Sequence, residues 1–239
     1  MNPLEIKELL ILICTELPVC RDLINMAAIS KYYNEMIKIN TWSHLNIRIG
    51  TEKDLIIMRK NYNFNKINLN GTSVTDASVS LLTNLHTLDL SWTKVTDASV
   101  SLLTNLHTLN LRGTSVTDTS ISLLTNLHTL NLDYTEVTDA SVSLLSELQT
   151  LKLRYTKITD ASISLLKNFL HTLELGGTKV TDASVSLLTN LHTLNLSWTK
   201  VTDASVSLLT NLHTLCLWRT KVTDECKKLL RSKKVQIYG

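Results

Sequence analysis

The sequence predicts an α/β solenoid: a curved parallel sheet on the concave face, short helices on the convex face, and a small three-helix module at the N-terminus. Three observations predict it. A 21-residue unit recurs through most of the chain, each unit switches from a two-residue to a helical apolar period, and residues 1 to about 60 stand outside the repeat.

The stretch LHTLNLSWTKVTDASVSLLTN, residues 191–211, has near copies beginning at Leu85, Leu106, Leu127, Leu148, Leu170 and Leu212, and a weaker one at Phe64. The step is 21 residues apart from one extra residue, Phe169. A fixed period of this length is the signature of stacked supersecondary units. Within a unit, LHTLNL alternates apolar with polar residues, as in a half-buried strand. Leu194 and Leu196 are expected inside, with Thr193, Asn195 and Ser197 outside.

VTDASVSLL then turns helical. Thr202 or Asp203 is a suitable N-cap, and Val206, Leu208 and Leu209 are expected on one buried side, giving about two helical turns per unit. Neither half can bury its apolar face alone, so units must stack, strand beside strand at roughly 4.8 Å.

The unit, L-x-x-L-x-L-x-x-T-x-V-T-D-x-S-x-x-L-L-x-x, resembles the leucine-rich repeat in its shortest class. That family places Asn or Cys at the ninth position, whereas this chain has Thr there in every unit, from Thr72 to Thr220. A hydroxyl is able to take the same role toward the loop backbone.

Leu at the sixth position never changes from Leu69 to Leu217, whereas the fifth, seventh and eighth positions vary from unit to unit. The pleat is expected to aim the fifth and seventh side chains out of the concave face, with the eighth at its rim. Candidate protein-binding residues there are Asp89, Trp92, Arg112, Asp133, Tyr134, Lys152, Arg154, Tyr155, Glu174, Trp198, Trp218 and Arg219. Tyr, Trp and Arg among small polar residues match the energetic centres of protein interfaces; drift among duplicated units is the competing explanation. Signs alternate along the face and the whole chain carries only +3, which argues against nucleic acid as ligand.

Residues 1–41 contain apolar residues at helical spacing (Ile6, Leu9, Leu10, Ile13, Leu17), with Asp22 and Ser30 placed to cap a second and a third helix. ELLILICTELPVCRDLINMAAISKYYNEMI resembles an F-box, through Glu8, Leu9, Leu17, Pro18, Asp22, Leu23, Ile29, Ser30, Lys31 and Tyr33. It departs from that pattern at Glu5 and Ile6, in one additional residue between Pro18 and Asp22, and in Tyr33 for the common Trp. TWSHLNIRI, from Thr41, then fits a degenerate first repeat over residues 42–63, with Leu45 and Ile47 preceding Ile67 and Leu69 by 22 residues.

The F-box resemblance implies that the N-terminal helices dock a Skp-type adaptor through Leu9, Ile13, Leu17, Pro18, Leu23 and Ile29. The adaptor would join a cullin ubiquitin ligase while repeats 64–232 hold the protein substrate. The second expectation is a plain repeat scaffold whose N-terminal helices only cap the solenoid. A third, an enzyme using the concave face, lacks a converging nucleophile, base and orienting group.

Histidines recur at the second position (His86, His107, His128, His171, His192 and His213), a ladder at roughly 5 Å spacing without recurrent carboxylates or thiolates beside it. No metal or cofactor is expected. The aspartates at the thirteenth position, Asp76 through Asp224, each begin a helix, where a carboxylate favours the positive end of the dipole.

Four dispersed cysteines (14, 20, 216 and 226) give no disulfide framework, and LLILIC is too short to span a membrane. A cytoplasmic or nuclear protein is expected. The last unit replaces ASVSLL by ECKKLL, which reads as a charged cap, and residues 233–239 are expected to add a short strand with Val235 and Ile237 inward.

Overall fold

A computed structural model describes residues 47–48, 55, 65–166 and 170–239. The N-terminal residues assigned to the helical module, Leu9, Ile13, Leu17, Pro18, Leu23 and Ile29 among them, lie outside the described residues, as does the inserted Phe169.

Among the described residues, ten strands form one sheet in strict chain order, every neighbouring pair parallel. They are β1 (Ile47–Arg48), β2 (Lys66–Asn68), β3 (Thr87–Asp89), β4 (Thr108–Asn110), β5 (Thr129–Asn131), β6 (Thr150–Lys152), β7 (Thr172–Glu174), β8 (Thr193–Asn195), β9 (Thr214–Cys216) and β10 (Gln236–Tyr238). Helices α1 (Asp76–Val79), α2 (Asp97–Val100), α3 (Asp118–Ile121), α4 (Asp139–Val142), α5 (Asp160–Ile163), α6 (Asp182–Val185), α7 (Asp203–Val206) and α8 (Asp224–Ser232) alternate with them. Leu88 pairs with Leu109, and Leu130 with Leu151, so identical positions face each other across the ladder. The insertion leaves this intact: Leu151 pairs with Leu173, 22 residues on. At the N-terminal edge Ile47 pairs with Ile67, two residues away from the alignment expected for the first repeat. A shift of two preserves the alternation of faces, which is why the pattern allows both registers.

The core is a column of aliphatic side chains. In one unit Leu106, Leu109, Leu111, Val116, Ile121 and Leu124 are all buried, and the same positions repeat from unit to unit. Burying one such side chain contributes roughly 1.5–3 kcal/mol, but only because the neighbouring units cover it.

Two expectations about the helical half are corrected. The interior helices are single turns of four residues rather than two turns, with Thr as N-cap and Asp as the first helical residue. Because the chain leaves the helix at once, Leu208 does not share the buried side of Val206 and Leu209: it is 53% exposed, whereas Leu209 is 2% exposed. Exposed leucines recur at this position, including Leu102, Leu123, Leu144 and Leu187. Thermal or urea unfolding should separate the two neighbours: Leu208→Gln is expected within about 0.5 kcal/mol of the native protein, whereas Leu209→Ala should cost about 2–5 kcal/mol.

Hydrogen bonds close each turn and tie it to the next. The ninth-position threonines donate their hydroxyls to the carbonyl three residues back, as Thr114 to Leu111 at 2.6 Å and Thr156 to Leu153 at 2.6 Å. Thr thus closes the turn with its hydroxyl.

The aspartate ladder does more than favour a helix dipole. Asp118 accepts from the Thr138 backbone N–H at 2.9 Å, the Thr138 hydroxyl at 2.6 Å and the Ser141 hydroxyl at 2.5 Å, all in the following unit. Asp76, Asp97, Asp139, Asp160 and Asp182 repeat this clamp. Burial alone would raise these carboxyl pKa values, but the hydroxyl and N–H donors together outweigh it and hold them below the ordinary value. Asp203 clamps Thr223 and has Cys226 where the others have Ser, while Asp224 is followed by the strand β10 and stays exposed.

Asparagines add a second tie, as Asn105 and Asn126 donate to the carbonyls of Thr83 and Thr104 in the preceding units. At the C-terminus α8 runs nine residues with exposed Lys228 and Arg231 and an exposed C-cap, Lys233, after which β10 pairs with β9. Val235 is buried and Ile237 half-buried, covering the last repeat.

Candidate functional site

The eighth position of every described unit has left-handed backbone. Gly71, Gly113 and Gly177 occupy it at φ between 66° and 72°, and Trp92, Tyr134, Tyr155, Trp198 and Arg219 occupy it at φ between 55° and 62°. Glycine adopts this conformation freely, whereas a residue with a Cβ is strained there by roughly 1–2 kcal/mol. The ladder imposes it: the N–H of Trp92 donates to the Arg112 carbonyl at 2.8 Å, and Tyr134 to Arg154 and Trp198 to Trp218 repeat the bond. Every unit therefore turns the same way, and five of them place a large side chain where glycine would be relaxed.

Those side chains stand at the strand ends as an exposed row, with Trp92 54%, Tyr155 46% and Trp198 57% accessible. Their rings lean toward the next unit. A Cβ on Gly177 would come within 2.6 Å of the Tyr155 ring, and one on Gly113 would overlap the Trp92 ring, so glycine in the following unit lets each ring lie flat. Tyr134 stacks on Tyr155 with centroids 4.7 Å apart. The Arg112 guanidinium lies 5.4 Å from the Trp92 centroid and 5.2 Å from that of Tyr134, and Arg219 lies 5.3 Å over Trp198. Such cation–π contacts hold the guanidinium face and leave its N–H edge for a ligand.

Four candidates from the same face engage one another instead. Arg154 binds Asp133 through Nε at 2.9 Å and Nη2 at 2.6 Å and contacts Glu174 at 3.1 Å, while Lys152 reaches Glu174 at 2.5 Å. Asp133 is 0% exposed, and its hydrogen bonds raise the Arg154 pKa further above its ordinary value. Asp89 is likewise committed, accepting from the Ser91 N–H at 2.9 Å and from Asn110 at 3.1 Å.

The seventh position departs from its expected outward aim. Ser91, Asp133 and Ser197 are buried, Asp133 beneath the Arg154 guanidinium, and the fifth-position Asp89, Asn131 and Asn195 accept from the backbone N–H two residues ahead. Trp218 alone among the described seventh-position residues is exposed.

Lysines at the tenth position join the same edge without being predicted to. Lys94, Lys157, Lys179, Lys200 and Lys221 are exposed, and Lys94 lines a shallow hollow with Trp92 and residues 71–76. Their signal was the fixed step of 21 or 22 residues over most of the row. The histidine ladder lies elsewhere, with ring centroids 5.1 to 5.4 Å apart, broken at Gln149. No group of three or more potential metal ligands occurs among the described residues. Burial raises the thiol pKa of both Cys216 and Cys226, which leaves them poorer nucleophiles than a free thiol.

Comparison with known proteins agrees with this geometry. The family described as Leucine Rich repeat matches residues 81–103 and 187–209. No curated protein matches the sequence. Among solved structures, internalin C2 of Listeria monocytogenes is similar with a TM-score of 0.62 and 24% identity, over 85% of this chain and 92% of that one. The internalin InlF of the same organism gives 0.61 and 21%, over 86% and 75%. A TLR13–ssRNA13 complex gives 0.57 and 24%, over 75% of this chain and 29% of that one. Period, register and these likenesses converge on one identification: the described chain is a leucine-rich-repeat solenoid.

Proposed function

We propose that this chain is a non-enzymatic protein-interaction scaffold that holds a protein partner on its concave face and along the aromatic edge of that face. The observation that carries the reading is the row Trp92, Tyr134, Tyr155, Trp198 and Arg219, held in left-handed backbone and exposed. Strained residues persist where the surrounding structure over-determines them, and they cluster at ligand-binding places. Large exposed rings beside guanidinium groups supply contact area at low entropic cost. The ion-paired Asp133, Lys152, Arg154 and Glu174 form a neutral floor beside the row.

Affinity capture tests this with native protein and a Trp92→Ala/Trp198→Ala variant, both checked by circular dichroism. Partners recovered by the native protein should fall about tenfold or more with the variant, the loss of roughly 1.4 kcal/mol or more that anchor residues give. Equal recovery by both proteins would sink the reading.

A finer reading rests on the F-box-like residues Glu8, Leu9, Leu17, Pro18, Asp22 and Leu23. On that reading the chain is the substrate receptor of a Skp-cullin-F-box ubiquitin ligase, acting inside the cytoplasm or nucleus, and Leu9, Ile13, Leu17, Pro18, Leu23 and Ile29 dock the adaptor. A pull-down with a purified Skp-type adaptor decides it. Binding by the native chain and loss with Leu17→Ala/Pro18→Ala supports the ligase role; no binding by the native chain leaves the scaffold alone.

A further inference from the structure

From the chemistry of the aromatic edge we infer that its partner presents an acidic segment: an extended stretch of protein rich in carboxylates, laid across the units from Arg112 to Lys221. The inference rests on the scaffold reading and names what that edge selects.

Charge is the first argument. Among the described residues, ion pairs engage Lys152, Arg154, Lys157 and Lys227, whereas Arg112, Lys179, Lys200, Arg219 and Lys221 take no part in them. The tenth position holds lysine in five units and a single acid, Glu136, which is already paired with Lys157. Asp182 and Asp203, on the same loops as the unpaired lysines, have their carboxylates turned onto Thr202, Ser205 and Thr223 of the following units. The edge therefore carries cations that form no ion pair among the described residues, and the exposed Asp224 that follows Lys221 meets Lys227.

Hydrogen-bonding capacity points the same way. Arg112 makes no side-chain hydrogen bond among the described residues, and its buried Nε has no partner. Unlike Arg154, whose Nε and Nη2 meet Asp133 and Glu174, it is held by two rings that accept nothing from its N–H edge. Trp92 and Trp198 add indole N–H groups, and Tyr134 and Tyr155 add hydroxyls, none engaged by a hydrogen bond among the described residues. Guanidinium, ammonium and indole groups are donors only, so the row asks for acceptors, and carboxylates are the acceptors that also balance its charge.

Single-stranded nucleic acid also offers anionic acceptors, but it binds by stacking bases on free ring faces. Here several of those faces are already taken: Tyr134 lies on Tyr155, Arg112 sits between Trp92 and Tyr134, and Arg219 lies over Trp198, while Trp218 stays open. The partly covered rings, with their free donors and charges, suit a peptide better than a run of stacked bases.

Five strand spacings separate the unit of Arg112 from that of Arg219, about 24 Å, the reach of about 7–8 extended residues. The probe is therefore a fluorescein-labelled oligoglutamate of about 8 residues, titrated by fluorescence anisotropy at low ionic strength against an oligolysine of equal length and an oligouridylate. The edge variant is Arg112→Gln/Lys200→Gln/Arg219→Gln. The control is Lys228→Gln/Arg231→Gln/Lys233→Gln on α8 and its C-cap, which removes equal charge away from the rings.

The expected result is oligoglutamate binding that weakens about tenfold or more in the edge variant and less than about twofold in the control, with oligolysine unbound and oligouridylate weaker. No binding by the native chain, equal weakening in both variants, or oligouridylate bound more tightly through the edge would each overturn the inference. Partner capture that depends on Trp92 and Trp198 while oligoglutamate ignores the edge cations would leave the scaffold reading intact and remove only this one.

Discussion

Asp118→Ala is expected to destabilise the solenoid by about 3 kcal/mol, whereas Asp224→Ala, the same residue at the same place in its motif, should change stability by less than about 0.5 kcal/mol. The difference lies in the following unit. Asp118 holds Thr138 and the buried Ser141 through three charge-assisted bonds, and its loss leaves the Ser141 hydroxyl and a backbone N–H without their acceptor. Among the described residues the exposed Asp224 side chain meets Lys227, at 3.5 Å.

Because a solenoid is stabilised by nearest-neighbour interfaces, cutting one clamp in the middle should also uncouple the two halves. Urea unfolding of Asp118→Ala should then show a broadened or two-step transition, and Asp224→Ala the native one. Equal midpoints for both variants would mean that the clamp contributes nothing.

The same clamps give the protein an acid dependence whose sign is fixed. Folding lowers these carboxyl pKa values below 3.8, the ordinary aspartate value. Their stabilisation is therefore fully present well above that value and is lost as pH falls through it toward the lowered folded pKa. A urea midpoint series from pH 6 to pH 3 should decline for the native chain and decline less steeply for Asp118→Asn, which has one clamp fewer to titrate. Comparing the two chains cancels every other titrating group.

The sequence made the strand, the period and the inward leucines legible because each is a property of one unit: Leu109 and Leu111 declare their face by alternation alone. It did not reveal why VTDxS is repeated, because the reason is a contact between Asp118 in one copy and Thr138 and Ser141 in the next. A helix dipole explains an aspartate at that place from local terms, and the local explanation stops one unit short. Leu208 escapes the helical period for a related reason: the helix ends at Val206, before the period reaches it. The candidate site was half legible. Trp92, Tyr134, Tyr155 and Trp198 stood out by type, but their left-handed backbone was signalled only by the glycines that alternate with them, and the mutual pairing of Asp133, Arg154 and Glu174 requires knowing which strands are neighbours.

Those glycines carry the second large effect. Gly177→Ala places a Cβ at φ +72° and 2.6 Å from the Tyr155 ring, so two costs combine: left-handed strain of roughly 1–2 kcal/mol and displacement of a ring that also stacks on Tyr134. A double-mutant cycle separates them. In a Tyr155→Ala background the clash is gone and only backbone strain remains, so Gly177→Ala should cost about 1–2 kcal/mol there and about 1 kcal/mol more in the native chain. Equal costs in both backgrounds would show that the ring moves aside freely, and the row would then be a set of independent side chains. A positive coupling means that glycine at one unit fixes the aromatic of the unit before it, so the order Trp-Gly and Tyr-Gly along the eighth position is itself part of the binding edge. Gly71→Ala is the internal standard: it has the same left-handed φ, +67°, with nothing within 4 Å of the added Cβ, and should show strain without coupling.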